Sequence, residues 1–180
     1  MYIEEKIQLS NFWKFLLKLQ RLIMVGTTVA VILMFGIVVL ARYVFHFNVI
    51  GYDEIIVVAA CWMYFIGGSY AMSEESNIRA DVLNLFLSPP KIRFLKIITG
   101  VIQVVCGVIL IYLSYDMILF DITSKPTTID WNIPLYIPRV SILVGFIFMT
   151  FYSFVYLLRD IHKYKNAKND RSKLTEQTEQ

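Results

Sequence analysis

Residues 40–89 read LARYVFHFNVIGYDEIIVVAACWMYFIGGSYAMSEESNIRADVLNLFLSP. The stretch holds the foot of one long apolar run, a short crossing with a cation and two acids, a second apolar run, and an amphipathic strip. Residues 55–73 contain no charged side chain, and Asp53 and Glu54 stand just before them, where carboxylates favour the positive end of a helix dipole. The pattern predicts a membrane hairpin followed by a helix lying flat in the membrane surface. It contains no clustered catalytic groups.

Outward from this hairpin the same alternation repeats. The chain has 180 residues, 57% of them hydrophobic, and a mean hydropathy of +0.60, above the range of soluble domains. A spanning helix needs about 20 apolar residues, and four runs qualify, roughly 22–41, 55–72, 94–120 and 140–158. The fold class expected is an all-α integral membrane protein with four transmembrane helices plus amphipathic interfacial helices. The four spans form one domain, residues 1–165, packed as a compact bundle. The charged tail, 166–180, is expected to be disordered. The amino terminus lacks the short apolar core and cleavage site of a signal peptide, so the first run stays as a span.

Two strips are too polar to cross. In residues 10–20, Phe12, Phe15, Leu16 and Leu19 share one side of a helix and Lys14, Lys18 and Arg21 the other, with Trp13 suited to the headgroup layer. In residues 77–87, Ile78, Val82, Leu85 and Phe86 recur at helical spacing. Small pairs, Gly26 with Ala30 and Gly67 with Ala71, allow close helix approach.

Lys and Arg fix the expected topology. Lys6, Lys14, Lys18 and Arg21 lie before the first span, Arg79, Lys91, Arg93 and Lys96 between the second and third, and a basic run from Arg159 after the fourth. The opposite connections hold Arg42, Lys125 and Arg139. The positive-inside rule then puts both termini in the cytoplasm. A net charge of +3 is too small to argue for nucleic acid.

Little in the spans suggests chemistry. Cys61 and Cys106 each lie inside an apolar run, where small buried side chains are commoner than disulfides or metal sites. His46 and His162 lie outside the spans, which argues against haem held between helices, so no cofactor is expected. Gln103 is the most polar deep residue and reads as a helix-to-helix hydrogen bonder. Asp116, near the exit of the third span, reads either as an interface acid or as the one candidate for lining a pore. Arg42, Asp53 and Glu54 read either as a snorkelling cation beside helix-capping acids, or as a charge cluster that docks protein or clamps lipid. Asp81 with Arg79 carries the same pair of readings.

Taken together, Arg42-Tyr43-Val44-Phe45, Asp53-Glu54, Trp62, Phe65-Ile66-Gly67-Gly68 and Asn77-Ile78-Arg79-Ala80-Asp81 resemble the small membrane subunit of tripartite ATP-independent periplasmic (TRAP) transporters. Ile133-Pro134 and Ile137-Pro138 resemble its second, weaker signature. Asn77 stands where many members have His, and Asp53 where Ser-Glu or Glu-Glu is common. The resemblance implies a bacterial inner-membrane subunit, partnered by a large membrane subunit and a periplasmic substrate-binding protein, in sodium-coupled uptake of an organic acid of the C4-dicarboxylate or sialic acid class. This chain is then a non-catalytic scaffold, and not an enzyme. Arg42, Tyr43, Asp53, Glu54, Trp62, Gly67, Gly68 and Asp81 become its candidate contacts with partner subunits or membrane lipids. The rival expectation is a self-sufficient four-span exporter or channel acting as a homo-oligomer.

Overall fold

The computed structural model describes residues 11–73 and 89–178. They form four helices, α1 (Asn11–Tyr43), α2 (Tyr52–Ser73), α3 (Pro89–Ser124) and α4 (Tyr136–Thr178). Each contains a stretch long and apolar enough to cross a membrane.

The helix ends follow from local sequence. After α1, His46 takes a left-handed conformation (φ 52°), and the Phe47 N–H returns to the Ala41 carbonyl at 2.9 Å, which satisfies part of the open helix end. Arg42 sits in the last turn, where a cation complements the dipole. α2 starts directly after Gly51, with Asp53 and Glu54 in its first turn. α3 begins on Pro89, whose missing N–H costs nothing in a first turn. It stops where Lys125 turns left-handed (φ 47°) ahead of Pro126.

Between α3 and α4 the chain makes a miniature hairpin. Thr127 bridges Pro134, Thr128 N–H donates to the Ile133 carbonyl (3.0 Å), and Leu135 N–H donates to the Pro126 carbonyl (3.0 Å). The Ile133 N–H donates to Thr128 Oγ1 at 2.9 Å. Asn132 supplies the positive φ that the reversal needs.

The extensive seams are α1/α2, α2/α4 and α4/α3. By their extensive seams the helices stand in the order α1–α2–α4–α3, an open row except at one end, where α1 also reaches α4 through Trp13 and Gln20 against Tyr152. α2 and α4 run parallel, since Phe65 lies beside Gly145 and Ser73 beside Tyr156. α3 runs antiparallel to α4, with Gly107 against Thr150 and Gly100 against Leu157. A row is physically reasonable in lipid, where apolar faces gain nothing by closing on each other and close backbone packing decides which helices touch. Gly145 shows such packing, because a Cβ there would stand 2.8 Å from Phe65 Cβ and 3.0 Å from its carbonyl oxygen. Among the described residues, the most apolar windows of α1 and α3 contain no buried side chain.

Two boundaries differ from expectation. Residues 11–20 form no separate surface helix; they are the opening turns of α1. Trp13 is 4% exposed, and Trp13, Leu16 and Tyr152 form a small core beside Met72, Phe148 and Val155. Phe15 and Leu19, expected on the apolar side, are exposed. The face that packs is 13–16–20, because α4 lies there with Tyr152. α4 also runs on to Thr178, through the tail expected to be disordered. After Gly145 no Gly or Pro interrupts it, so polar composition alone does not end the helix. The strip at 77–87, with Asp81, lies outside the described residues.

Candidate functional site

One group of polar side chains that ties helices together lies at the end of the row carrying the 44–51 and 125–135 loops. Glu54, in the first turn of α2, reaches across to the α3–α4 loop. Its Oε1 accepts the Asp130 N–H at 2.9 Å and its Oε2 the Trp131 N–H at 3.0 Å. The Trp131 indole in turn donates Nε1–H to the Ile50 carbonyl at 3.2 Å. Gly51 completes the clasp, since its φ of 74° suits glycine and any Cβ there would run into the Trp131 ring. One carboxylate and one indole thus tie the α1–α2 connection to the α3–α4 connection. Carboxylate acceptors of this kind make stronger hydrogen bonds than neutral ones.

A second tie lies close by in sequence. Asp121, at the end of α3, is fully buried and paired with Arg139 in the first turn of α4, whose side chain is partly exposed. Asp121 Oδ2 finds no partner among the described residues. At the opposite end of the row, Tyr152 donates its hydroxyl proton to Gln20 Oε1 at 3.1 Å, with both residues almost wholly buried. Tyr156 donates to the Ser73 carbonyl at 2.6 Å, and Arg159 lies 5.0 Å over the Tyr156 ring. α2 is therefore fastened to α4 at one end and to the loop leading into α4 at the other.

Set against this geometry, the sequence-predicted contact residues separate. Arg42, Tyr43 and Asp53 are exposed, and no ion pair joins Arg42 to Asp53 or Glu54 among the described residues. Glu54 uses both oxygens inside the chain. Trp62 is half-buried along α2. Gly68 faces Met149 of α4, and a Cβ on Gly67 would stand 3.6 Å from the sulfur of Met24 of α1, so both serve seams within the chain. Asp116 is exposed on α3 and Gln103 half-buried. The described residues hold no group of three or more His, Cys, Asp or Glu that could bind a metal, and Cys61 and Cys106 are free thiols.

Three features escaped the sequence reading: the Trp131–Ile50 bond, the Asp121–Arg139 pair and the Gln20–Tyr152 pair. The second had a signal, an acid and a base at facing ends of one helical hairpin. The other two join residues about eighty and more than a hundred positions apart, with no local pattern to reveal them.

The arrangement ties helices together and presents no reactive constellation. Comparison with known families agrees with that character. Residues 30–163 match the family model described as tripartite ATP-independent periplasmic transporters, DctQ component. No curated protein matches the chain. In TRAP systems the DctQ component is a non-catalytic transport subunit that works with a large membrane subunit and a periplasmic binding protein. With a match over most of its length and four membrane-crossing helices, the chain belongs to the DctQ family and is a multi-pass small membrane subunit of a TRAP transporter.

Proposed function

We propose that this subunit is the static wall of a sodium-coupled importer in a bacterial inner membrane, with both termini cytoplasmic, and that it conducts no substrate itself. The cargo is an organic acid of the C4-dicarboxylate or sialic acid class. The observation that carries this reading is the bare row. Four helices side by side, fastened at both ends, leave the apolar faces of α1 and α3 uncovered by the described residues. A wall of this kind offers a broad surface to a large membrane partner, and ties at both ends oppose shear between its helices.

The absence of charge from the middle of the spans supports the same role. Ionisable groups deep in a membrane are costly and usually mark a transport route, and residues 22–41, 55–73, 97–115 and 140–158 contain none. α1 is the favoured contact helix, because Gly26 and Gly36 have open space where the other helical glycines meet neighbours. The test is co-purification. Gly26→Leu and Gly36→Leu should leave the isolated chain folded and sharply reduce recovery of the large subunit. Full recovery of that subunit with both variants would remove α1 as the contact.

A further inference from the structure

The two loops at the clasped end carry a set of large apolar side chains that the described residues leave exposed. Val44, Phe45, Phe47 and Ile50 come from the α1–α2 connection, Ile129 and Trp131 from the α3–α4 loop. Phe45 is 75% exposed and Ile129 93%. In an ordinary loop such residues fold inward or are replaced by polar ones. Here the clasp holds them out. Glu54 fixes the backbone at 130 and 131, Trp131 is bonded to Ile50, and Gly51 sits under the indole ring. Ile50 and Trp131 are therefore held at one clasped corner with Ile129 beside them in sequence, and Val44, Phe45 and Phe47 lie on the short segment between that corner and the end of α1.

The depth of this corner follows from length. The charge-free run 22–41 is twenty residues of α1, which at about 1.5 Å per residue fills a hydrocarbon core of about 30 Å. Val44–Ile50 then falls in the headgroup layer at that end, and the Trp131–Ile50 bond brings the second loop to the same level. Leu40 and Tyr43, at the end of α1 just before this segment, are exposed as well. Between Tyr43 and Tyr52 the only ionisable side chain is His46. Aromatic and apolar residues at this level favour the membrane interface.

We infer that the Glu54–Trp131 clasp builds a membrane-seated platform, in which Phe45, Phe47, Ile50 and Ile129 insert into the phospholipid interface of the adjacent leaflet and fix the depth of the row. The inference rests on the helices crossing a membrane and is independent of the scaffold role in transport. The occupant is phospholipid, because the patch stands at interfacial depth, beyond the charge-free run of α1, and its segment 44–51 carries no charged side chain other than the imidazole of His46.

The experiment is spin-label accessibility on the full chain in phosphatidylethanolamine–phosphatidylglycerol nanodiscs. Labels go at Phe47→Cys and Ile129→Cys in a Cys61→Ala, Cys106→Ala background. Both are expected to collide more with oxygen, which partitions into the bilayer, than with a water-soluble nickel chelate. Adding Glu54→Ala should raise the mobility of the Ile129 label and shift it towards aqueous accessibility. With Glu54 intact, greater nickel than oxygen accessibility at either position overturns the platform. So does aqueous exposure that disappears only when a periplasmic binding protein is added, which would assign the patch to a soluble partner. If the cysteine replacements prevent folding, quenching of tryptophan emission by brominated phospholipid compares the wild-type chain with Trp131→Phe. Loss of part of the quenchable emission supports the seat, and no difference contradicts it.

Discussion

Arg139 and Asp121 are unequal partners, and the inequality has consequences for mutation. The acid is fully buried while the base keeps partial contact with its surroundings. Removing Arg139 strands a buried carboxylate, so Arg139→Ala should lower stability by about 3–5 kcal/mol. Asp121→Asn, which removes the buried charge, should cost distinctly less, and Asp121→Leu with Arg139→Met should recover most of the Arg139→Ala loss. Thermal melts of the detergent-solubilised chain measure this order; an Arg139→Ala melt equal to wild type contradicts the pairing. Gly51 is the second residue-scale test. A side chain there meets both a left-handed backbone and the Trp131 ring, so Gly51→Ala should destabilise by about 1–3 kcal/mol from the backbone alone. The Trp131 environment should change with it, read as a shift in tryptophan emission against a Trp131→Phe control.

At the scale of elements, the runs of apolar residues place four spans because length and hydropathy are properties of each run alone. Helix partners are not. Gly67 and Gly68 advertise close approach, yet their spacing does not say that one meets α1 and the other α4. The opening of α1 shows a different limit. Lys14, Lys18 and Arg21 suggest a break between a surface strip and a span, but a drop in hydropathy does not interrupt backbone hydrogen bonding, and α1 runs unbroken from Asn11. Trp13 packs edge-on against Tyr152 with ring centroids 5.0 Å apart, where residue character alone suggests a headgroup anchor. Trp13→Ala should therefore cost about 3–5 kcal/mol, the loss expected for a large core aromatic. Tyr152→Phe should cost about 1–3 kcal/mol, because Gln20 Oε1 loses the hydroxyl that satisfies it in a buried site. Chemical denaturation of the two variants checks both; a Trp13→Ala effect near zero would return that residue to the lipid interface.

At the scale of the whole molecule, the candidate site was legible in identity more than in role. Glu54 stands out from the sequence as a polar residue at a span boundary, but its oxygens join two loops of this chain. Its partners are backbone N–H groups at 130 and 131, which no residue pattern marks. The row itself was not legible, since four apolar helices of suitable length fit a closed bundle equally well. Its consequence is functional: a row has two broad faces, and a fastened row resists shear while a neighbour moves. The chain is therefore expected to lend structure to a transporter without conducting its cargo. The direct measurement is sodium-driven uptake of a radiolabelled organic acid into proteoliposomes, comparing this chain alone, the large subunit alone, and both together, each with the periplasmic binding protein. Accumulation is expected only with both membrane subunits present, and accumulation by this chain in the absence of the large subunit would contradict the static role.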